Sequence, residues 1–509
     1  MEPPEIVPGV GRKMAKGAGW TIAARLSVQG IGFLSTIVLA RLLAPEDFGL
    51  VALATTLSAA LLAVTEFTFD VVLIQNRNAG RSYYDTAWTL QLWRNAILAL
   101  ILMLGASLFA SMLGDARLEN ILYFLAGAVL VEGFQNVGIV EFRKHFQFHK
   151  DYMFLVGGKM ALIVAGIPLA ILWGNYWALV AAIVFGACVK VALSYIMQSY
   201  RPRFSLAKWR NIIRFSKWLL MTQAGTFAFQ RTDTFVIGRI VGAQGVGIYT
   251  IAYEIANLTT STLLAPIRRA ILPGFASVAH DMEGLRRSFV DVFAFALLMA
   301  TPVAAGTGLV AEPLVHVVLG QKWLAAIPLI QVLAIYGFLS VASAGSGPVY
   351  MALGRPHLLA VVLGLALAVL LPVLIFGVMH WGALGAAWAV TLAVLVMALL
   401  DIGISTRVLR LRLRRLLVPA WRPLLAVALM IAVVLEVRLN WAAPERFQDW
   451  LILLLASVAA GAVTYIGTVT VLWFLAGRPD GAERHLLDAL ETLAQRYRAR
   501  GRAKRGAAD

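Results

Sequence analysis

The chain has 509 residues, of which 60% are hydrophobic and only 14% charged, against roughly 25% charged in an ordinary soluble domain. That balance excludes an aqueous globule, and a single cysteine, Cys188, excludes a scaffold stapled by intrachain disulfides. The formal charge of +17 does not require nucleic acid as a partner, because most of it falls in loops where membrane topology alone places it.

Residues 1–17 are polar and carry Arg12, Lys13 and Lys16 without a small-residue cleavage site, so no removable signal peptide is read there. Apolar runs follow, each long enough to cross a hydrocarbon slab about 30 Å thick. The polar breaks between them place fourteen helices near 18–40, 46–70, 88–110, 118–140, 152–173, 176–198, 211–237, 243–265, 289–311, 324–350, 358–378, 383–406, 418–437 and 450–476. After the last, Leu486, Leu487, Leu490, Leu493 and Tyr497 form one helical stripe ahead of a basic end, the pattern of a helix lying on an anionic leaflet or of a solvated tail. The lysines and arginines sort by loop. One side holds only Arg41, Arg117, Arg239, Lys322, Arg438 and Arg446, while both termini and every even-to-odd connection share most of the rest. The positive-inside rule then makes both termini cytoplasmic.

Sliding the chain on itself by 198 residues aligns Trp20 with Trp218, Thr36 with Thr234, Val38 with Val236, Arg41 with Arg239, Gly49 with Gly247 and Ala54 with Ala252. Both copies read as a basic residue, a Trp four later, a span, an Arg at its outer end, a tight turn and a Gly opening the next span. Six helices separate them, and an even number preserves direction, so the halves are expected as parallel repeats about an axis along the membrane normal. The predicted fold class is all-α and polytopic: lobes at 18–200 and 201–406, two extra helices within 407–476, and a basic tail at 477–509.

The stretch Lys16-Gly17-Ala18-Gly19-Trp20 and the run Ala40-Arg41-Leu42-Leu43-Ala44-Pro45-Glu46-Asp47-Phe48-Gly49 resemble the polysaccharide-transporter family of oligosaccharide flippases. So do Gln230-Arg231-Thr232-Asp233-Thr234 and the run Gly238-Arg239-Ile240-Val241-Gly242 ending in Gly247-Ile248-Tyr249. The basic and aromatic stretch Phe142-Arg143-Lys144-His145-Phe146 is similar to a loop that such flippases carry after the fourth span. Their superfamily, MOP, also contains MATE drug antiporters and the lipid II flippase. The resemblance implies a MATE-like pair of six-helix bundles in the bacterial inner membrane that moves a lipid-linked oligosaccharide outward for surface or exopolysaccharide biosynthesis. Its implied partners are membrane lipids and the glycosyltransferases and polymerase of glycan assembly.

Ionisable side chains near the middle of a bilayer cost about 2.5 kcal/mol or more, so each one retained there needs a partner or a watery cavity. Apart from Arg214, Lys217 and Arg422, which are counted with the basic loops, five basic residues fall within predicted spans: Arg25, Arg94, Lys159, Lys190 and Arg231. Acidic counterparts include Glu66, Asp70, Glu132, Asp233, Glu254 and Asp401. Arg25 and Gln29 are four apart, as are Glu66 and Asp70, so each pair shares a helix face. Glu132, Gln135 and Asn136 form a polar stripe on the fourth span, and Tyr249, Tyr253, Glu254 and Asn257 on the eighth. The implied substrate, a polyprenyl-pyrophosphate oligosaccharide, needs cations for its phosphates, and the planar fork of Arg suits them. Arg25 and Arg231, on the repeat-equivalent first and seventh spans, are the leading candidates, followed by Arg94 and Lys159. Gln29, Glu66, Asp70, Glu132, Asp233, Tyr253 and Glu254 are candidates for a polar cavity or for ion coupling. Structural readings stand beside these: Arg25 snorkelling to the surface, Arg231 neutralised by Asp233 or Glu254, Lys190 a helix tie, Arg41 and Arg239 turn or headgroup anchors.

No Gly-x-x-x-x-Gly-Lys-Ser/Thr occurs, so no loop for ATP is expected. No cofactor or metal is expected either, since His145 and His149 lack carboxylate companions. Proton coupling, sodium coupling and neither remain open from these residues. Two rival readings are an ion-coupled multidrug antiporter, against which five in-span cations argue, and a membrane glycan polymerase or ligase, which needs larger outer loops than the longest inferred here, about thirteen residues.

Overall fold

The computed structural model describes residues 10–65, 73–74, 80–278, 280–441, 444–479 and 481–484. Among them every regular element is helical, as hydrocarbon demands of a backbone that must satisfy its own N–H and C=O groups. In chain order these are α1 (Val10–Leu42), α2 (Pro45–Thr65), α3 (Arg81–Leu113), α4 (Arg117–Gly133), the short α5 (Val140–Lys144), α6 (Phe148–Trp173), α7 (Trp177–Met197) and α8 (Trp209–Ile240). Then come α9 (Ala243–Ser277), α10 (Met282–Leu309), α11 (Ala326–Ala342), α12 (Ser346–Ala352), α13 (His357–Val408), α14 (Arg414–Leu439) and α15 (Phe447–Leu475).

Ten helices among the described residues are long and apolar enough to cross a membrane, or eleven if α4 and the stretch Val137–Lys144, bent by 63°, form one span. The expected count of fourteen is therefore not confirmed. Part of the difference lies in α13, whose 52 residues would make a straight rod about 78 Å long at 1.5 Å per residue. Gly382 breaks it with φ 57° and ψ −139°, a conformation open in practice only to glycine. A Cβ on Gly385 would lie 1.9 Å from the carbonyl oxygen of Gly377. Eight residues apart on a straight helix, the two would be about 12 Å apart, so the chain folds back at Gly382 into two arms. Both α8 and α9, 32 and 35 residues long, fall outside the ten.

The helices assemble into two compact units that interleave in sequence. The first comprises Met1–Ile251, Val318–Ala325 and Pro372–Ala386, and the second Ala252–Val317, Ala326–Leu371 and Ala387–Asp509. In the first, Leu39, Leu43, Ala170 and Ala178 form a dry cluster beside Phe48. Trp323, fully buried, sets its ring edge-on to Phe48 at 5.5 Å and donates Nε1 to the carbonyl of Ala40 at 2.8 Å. Here α2 and α9 also meet backbone to backbone. A Cβ on Gly49 would lie 1.7 Å from the Ala243 oxygen, and one on Gly247 would lie 1.7 Å from the Pro45 oxygen. Pro45 and Ala243 differ by the same 198 positions as Gly49 and Gly247, so this crossing is symmetric under the sequence repeat. The second unit is cored by Leu298, Met430, Val434 and Tyr465, whose Oη donates to the carbonyl of Leu298 at 2.7 Å.

Candidate functional site

Positions 25, 29, 32 and 36 recur at helical spacing, so Arg25, Gln29, Gly32 and Thr36 share one stripe of α1. Lys159 reaches this stripe from α6. A Cβ on Gly32 would stand 3.0 Å from Lys159 Cε and 3.3 Å from Nζ, so the missing side chain at position 32 makes room for the ammonium stem. Gly32 is buried, Lys159 half-buried and Arg25 exposed. On the adjoining face, α1 is tied to α6 by Trp20 edge-on to Tyr152 at 5.4 Å and by Ser27 Oγ 3.3 Å from Tyr152 Oη. Among the described residues neither Arg25 nor Lys159 has a carboxylate within ion-pairing distance.

The other candidates are placed separately. Arg94 donates Nε and Nη2 to Asn95 Oδ1 at 3.1 and 2.9 Å, and buried Asn95 passes its own Nδ2 to the Val129 carbonyl at 2.9 Å, so this basic group rides on the seam of α3 and α4. Glu132 faces Lys190 at 3.3 Å and ties α4 to α7. Asp233 is buried and accepts from Tyr249 Oη and Thr234 N, each at 2.6 Å. Arg231 lies two residues earlier and is exposed; side chains two apart on a helix do not face each other. In the second unit Tyr253 and Tyr336 bring their hydroxyls to 3.3 Å, and Glu254 is half-buried on the same helix. Glu66 and Asp70 lie outside the described residues, as does most of the amphipathic tail.

Sequence reasoning missed three polar arrangements. Asp85 Oδ1 accepts from Tyr200 Oη and, at 2.9 Å, from Arg203 N, while Thr89 Oγ1 accepts from Ser205 N at 3.0 Å, stitching the segment after α7 onto the first turns of α3. Burial pushes the Tyr200 phenol well above its ordinary value, and the hydrogen bond to Asp85 adds to the effect. The signal was available: Asp85 and Thr89 are four apart at the start of a span. Arg422, read as part of a basic loop, is buried within α14 and meets buried Glu483 at 3.3 Å. Tyr350 Oη contacts Asp401 Oδ1 and Ser405 Oγ, each at 3.2 Å. At the opposite end of α3, Arg117 binds Asp115 at 2.7 Å and Glu46 at 2.5 Å, and its hydrogen bond holds the Asp115 carboxyl below the usual range. Arg41 donates Nε to the carbonyl of Val318 at 3.0 Å. Among the described residues no cluster of three or more His, Cys, Asp or Glu is arranged to hold a metal ion.

The apolar helices of the described residues, long enough to cross a membrane ten times or more, make this a multi-pass membrane protein. It belongs to the polysaccharide biosynthesis protein family, whose model matches residues 38–328. The chain is 26% identical over 358 residues to the lipopolysaccharide biosynthesis protein WzxC of Escherichia coli (strain K12), covering 67% of this chain and 70% of that one. It is 26% identical over 337 residues to the succinoglycan biosynthesis transport protein ExoT of Rhizobium meliloti (strain 1021), covering 65% and 67%. In fold it is similar to the lipid II flippase MurJ in an inward closed conformation, with a TM-score of 0.70 and 12% identity over 90% of this chain and 99% of that one. The protein is thus a multi-pass inner-membrane transporter and not an enzyme, which sets aside the polymerase or ligase reading.

Proposed function

We propose that this transporter flips a lipid-linked oligosaccharide from the cytoplasmic to the outer leaflet by alternating access, with both termini cytoplasmic. The observation that carries the reading is the α1 stripe, where Lys159 lies against Gly32 on the face that bears Arg25 and Gln29. Two cations without carboxylate partners among the described residues suit a pyrophosphate, whose charges they neutralise in a low-dielectric setting where such attraction is strong. Arg231, on the repeat-equivalent span, supplies a further guanidinium, with Arg94 held in reserve on the neighbouring seam. Gln29, on the same face of α1, offers hydrogen bonds to sugar hydroxyls. An anion leaving the cell gains about 2.3 kcal/mol per charge per 100 mV of membrane potential if it crosses the whole field, so outward movement does not need ATP. The family match favours a glycan over an amphiphilic drug as cargo.

The test is an Arg25→Ala, Arg231→Ala double variant, checked for membrane insertion and scored for surface polysaccharide. Loss of two charge-assisted contacts, each about 1.5–3 kcal/mol, should reduce export by tenfold or more while the lipid-linked precursor accumulates inside. Undiminished polysaccharide with normal insertion removes these two arginines from the site.

A further inference from the structure

A polar pocket of about 420 Å³ lies where α5 and the turn after it meet the end of α7. Its walls carry Lys150, Arg201, His145, Gln147, Ser199 and Glu141. The cations are set by aromatic faces and carbonyls. Lys150 Nζ stands 5.7 Å from the Phe142 ring, and the Arg201 guanidinium 5.6 Å from the Tyr195 ring. Arg201 Nη1 donates to the carbonyls of Gln198 and Tyr200 at 2.7 and 3.0 Å. Nearby Arg143 is different, since Asp151 already neutralises it at 3.0 Å. Among the described residues no carboxylate lies within ion-pairing distance of Lys150 or Arg201. The one carboxylate in the wall, Glu141, turns its Oε2 to the Gln198 amide at 3.0 Å. Two fixed cations, a histidine and amide donors around a hollow make a receptor for an oxyanion.

The rim says where that anion comes from. Ile196, itself a wall residue, is 78% exposed, and Phe146, between the wall residues His145 and Gln147, is 47% exposed. The pocket also sits at the end of α7, a helix apolar enough to cross the membrane. A hollow with basic walls and an apolar lip at a helix end lies at headgroup depth, where basic pockets attract anionic lipids. We propose that it binds the phosphoryl headgroup of an anionic membrane lipid, with Ile196 and Phe146 against the start of the acyl chains. A soluble phosphate would use the cations and leave the lip in water. This assignment does not rest on the flippase reading.

Binding to the full-length protein, purified in neutral detergent and stripped of lipid, tests it through native mass spectrometry. Phosphatidylglycerol should bind at least fivefold more tightly than phosphatidylcholine. A Lys150→Gln, Arg201→Gln double variant should lose about tenfold of the phosphatidylglycerol affinity and leave phosphatidylcholine unchanged. Lys150→Gln alone, which touches none of the backbone contacts of Arg201, should lose about threefold, and Lys150→Arg should restore it. Equal affinity for the two lipids, or unaltered phosphatidylglycerol binding in Lys150→Gln and the double variant, overturns the site. Displacement of the lipid by an equal concentration of inorganic phosphate overturns its assignment to a lipid headgroup.

Discussion

A carboxyl group buried within a helix is tolerated only if its oxygens find donors there. Asp233 does so through the Tyr249 hydroxyl and the Thr234 amide, both at 2.6 Å. Removing the phenolic donor with Tyr249→Phe leaves a buried acceptor short of one bond, a cost of about 1–3 kcal/mol. The purified variant should unfold at a distinctly lower temperature in a thermal denaturation scan. Adding Asp233→Asn should cost less than the two single changes summed, because neighbours in one network couple. Independent, additive effects would show that this bond does not brace α8 against α9. Asp233 was visible in the sequence as a charge within a span, but its donor Tyr249, sixteen residues on, was grouped with Tyr253 by helical periodicity. Only the crossing of α8 and α9 separates the two tyrosines into different surroundings.

At the level of elements, the contact of α2 with α9 is set by two glycines that stand at the same place in each repeat. Each faces the carbonyl at the first residue of the other helix, at a distance no Cβ can occupy. Alanine at either position must push the helices apart, and overpacking of this kind costs about 1–3 kcal/mol. Gly49→Ala and Gly247→Ala should therefore lower thermal stability by similar amounts, measured by the fraction remaining monodisperse in size-exclusion chromatography after heating. Gly30→Ala, where a Cβ meets nothing within 4 Å, is the control and should be neutral. Strongly unequal losses at Gly49 and Gly247 would count against a symmetric crossing. The six identities that defined the repeat could be read without coordinates. That the two members of one of them, Gly49 and Gly247, touch required the fold.

For the whole molecule, the distribution of Lys and Arg predicts orientation. In a Cys188→Ser background, a cysteine introduced as Phe146→Cys should be shielded from membrane-impermeant thiol reagents in intact cells and react after permeabilisation. One introduced as Lys322→Cys should react without permeabilisation. Labelling of the first in intact cells would overturn the orientation with cytoplasmic termini.

The helical, membrane-spanning character of this protein and its family were legible in the sequence, since hydrocarbon thickness and backbone hydrogen bonding act on runs of residues along the chain. The partners of its charges were not. Lys159 lies against Gly32, Glu132 faces Lys190, Arg422 meets Glu483, and α13 doubles back at Gly382. Electrostatic and packing energies depend on distances of a few ångströms between residues far apart in sequence, and only the tertiary structure fixes those distances.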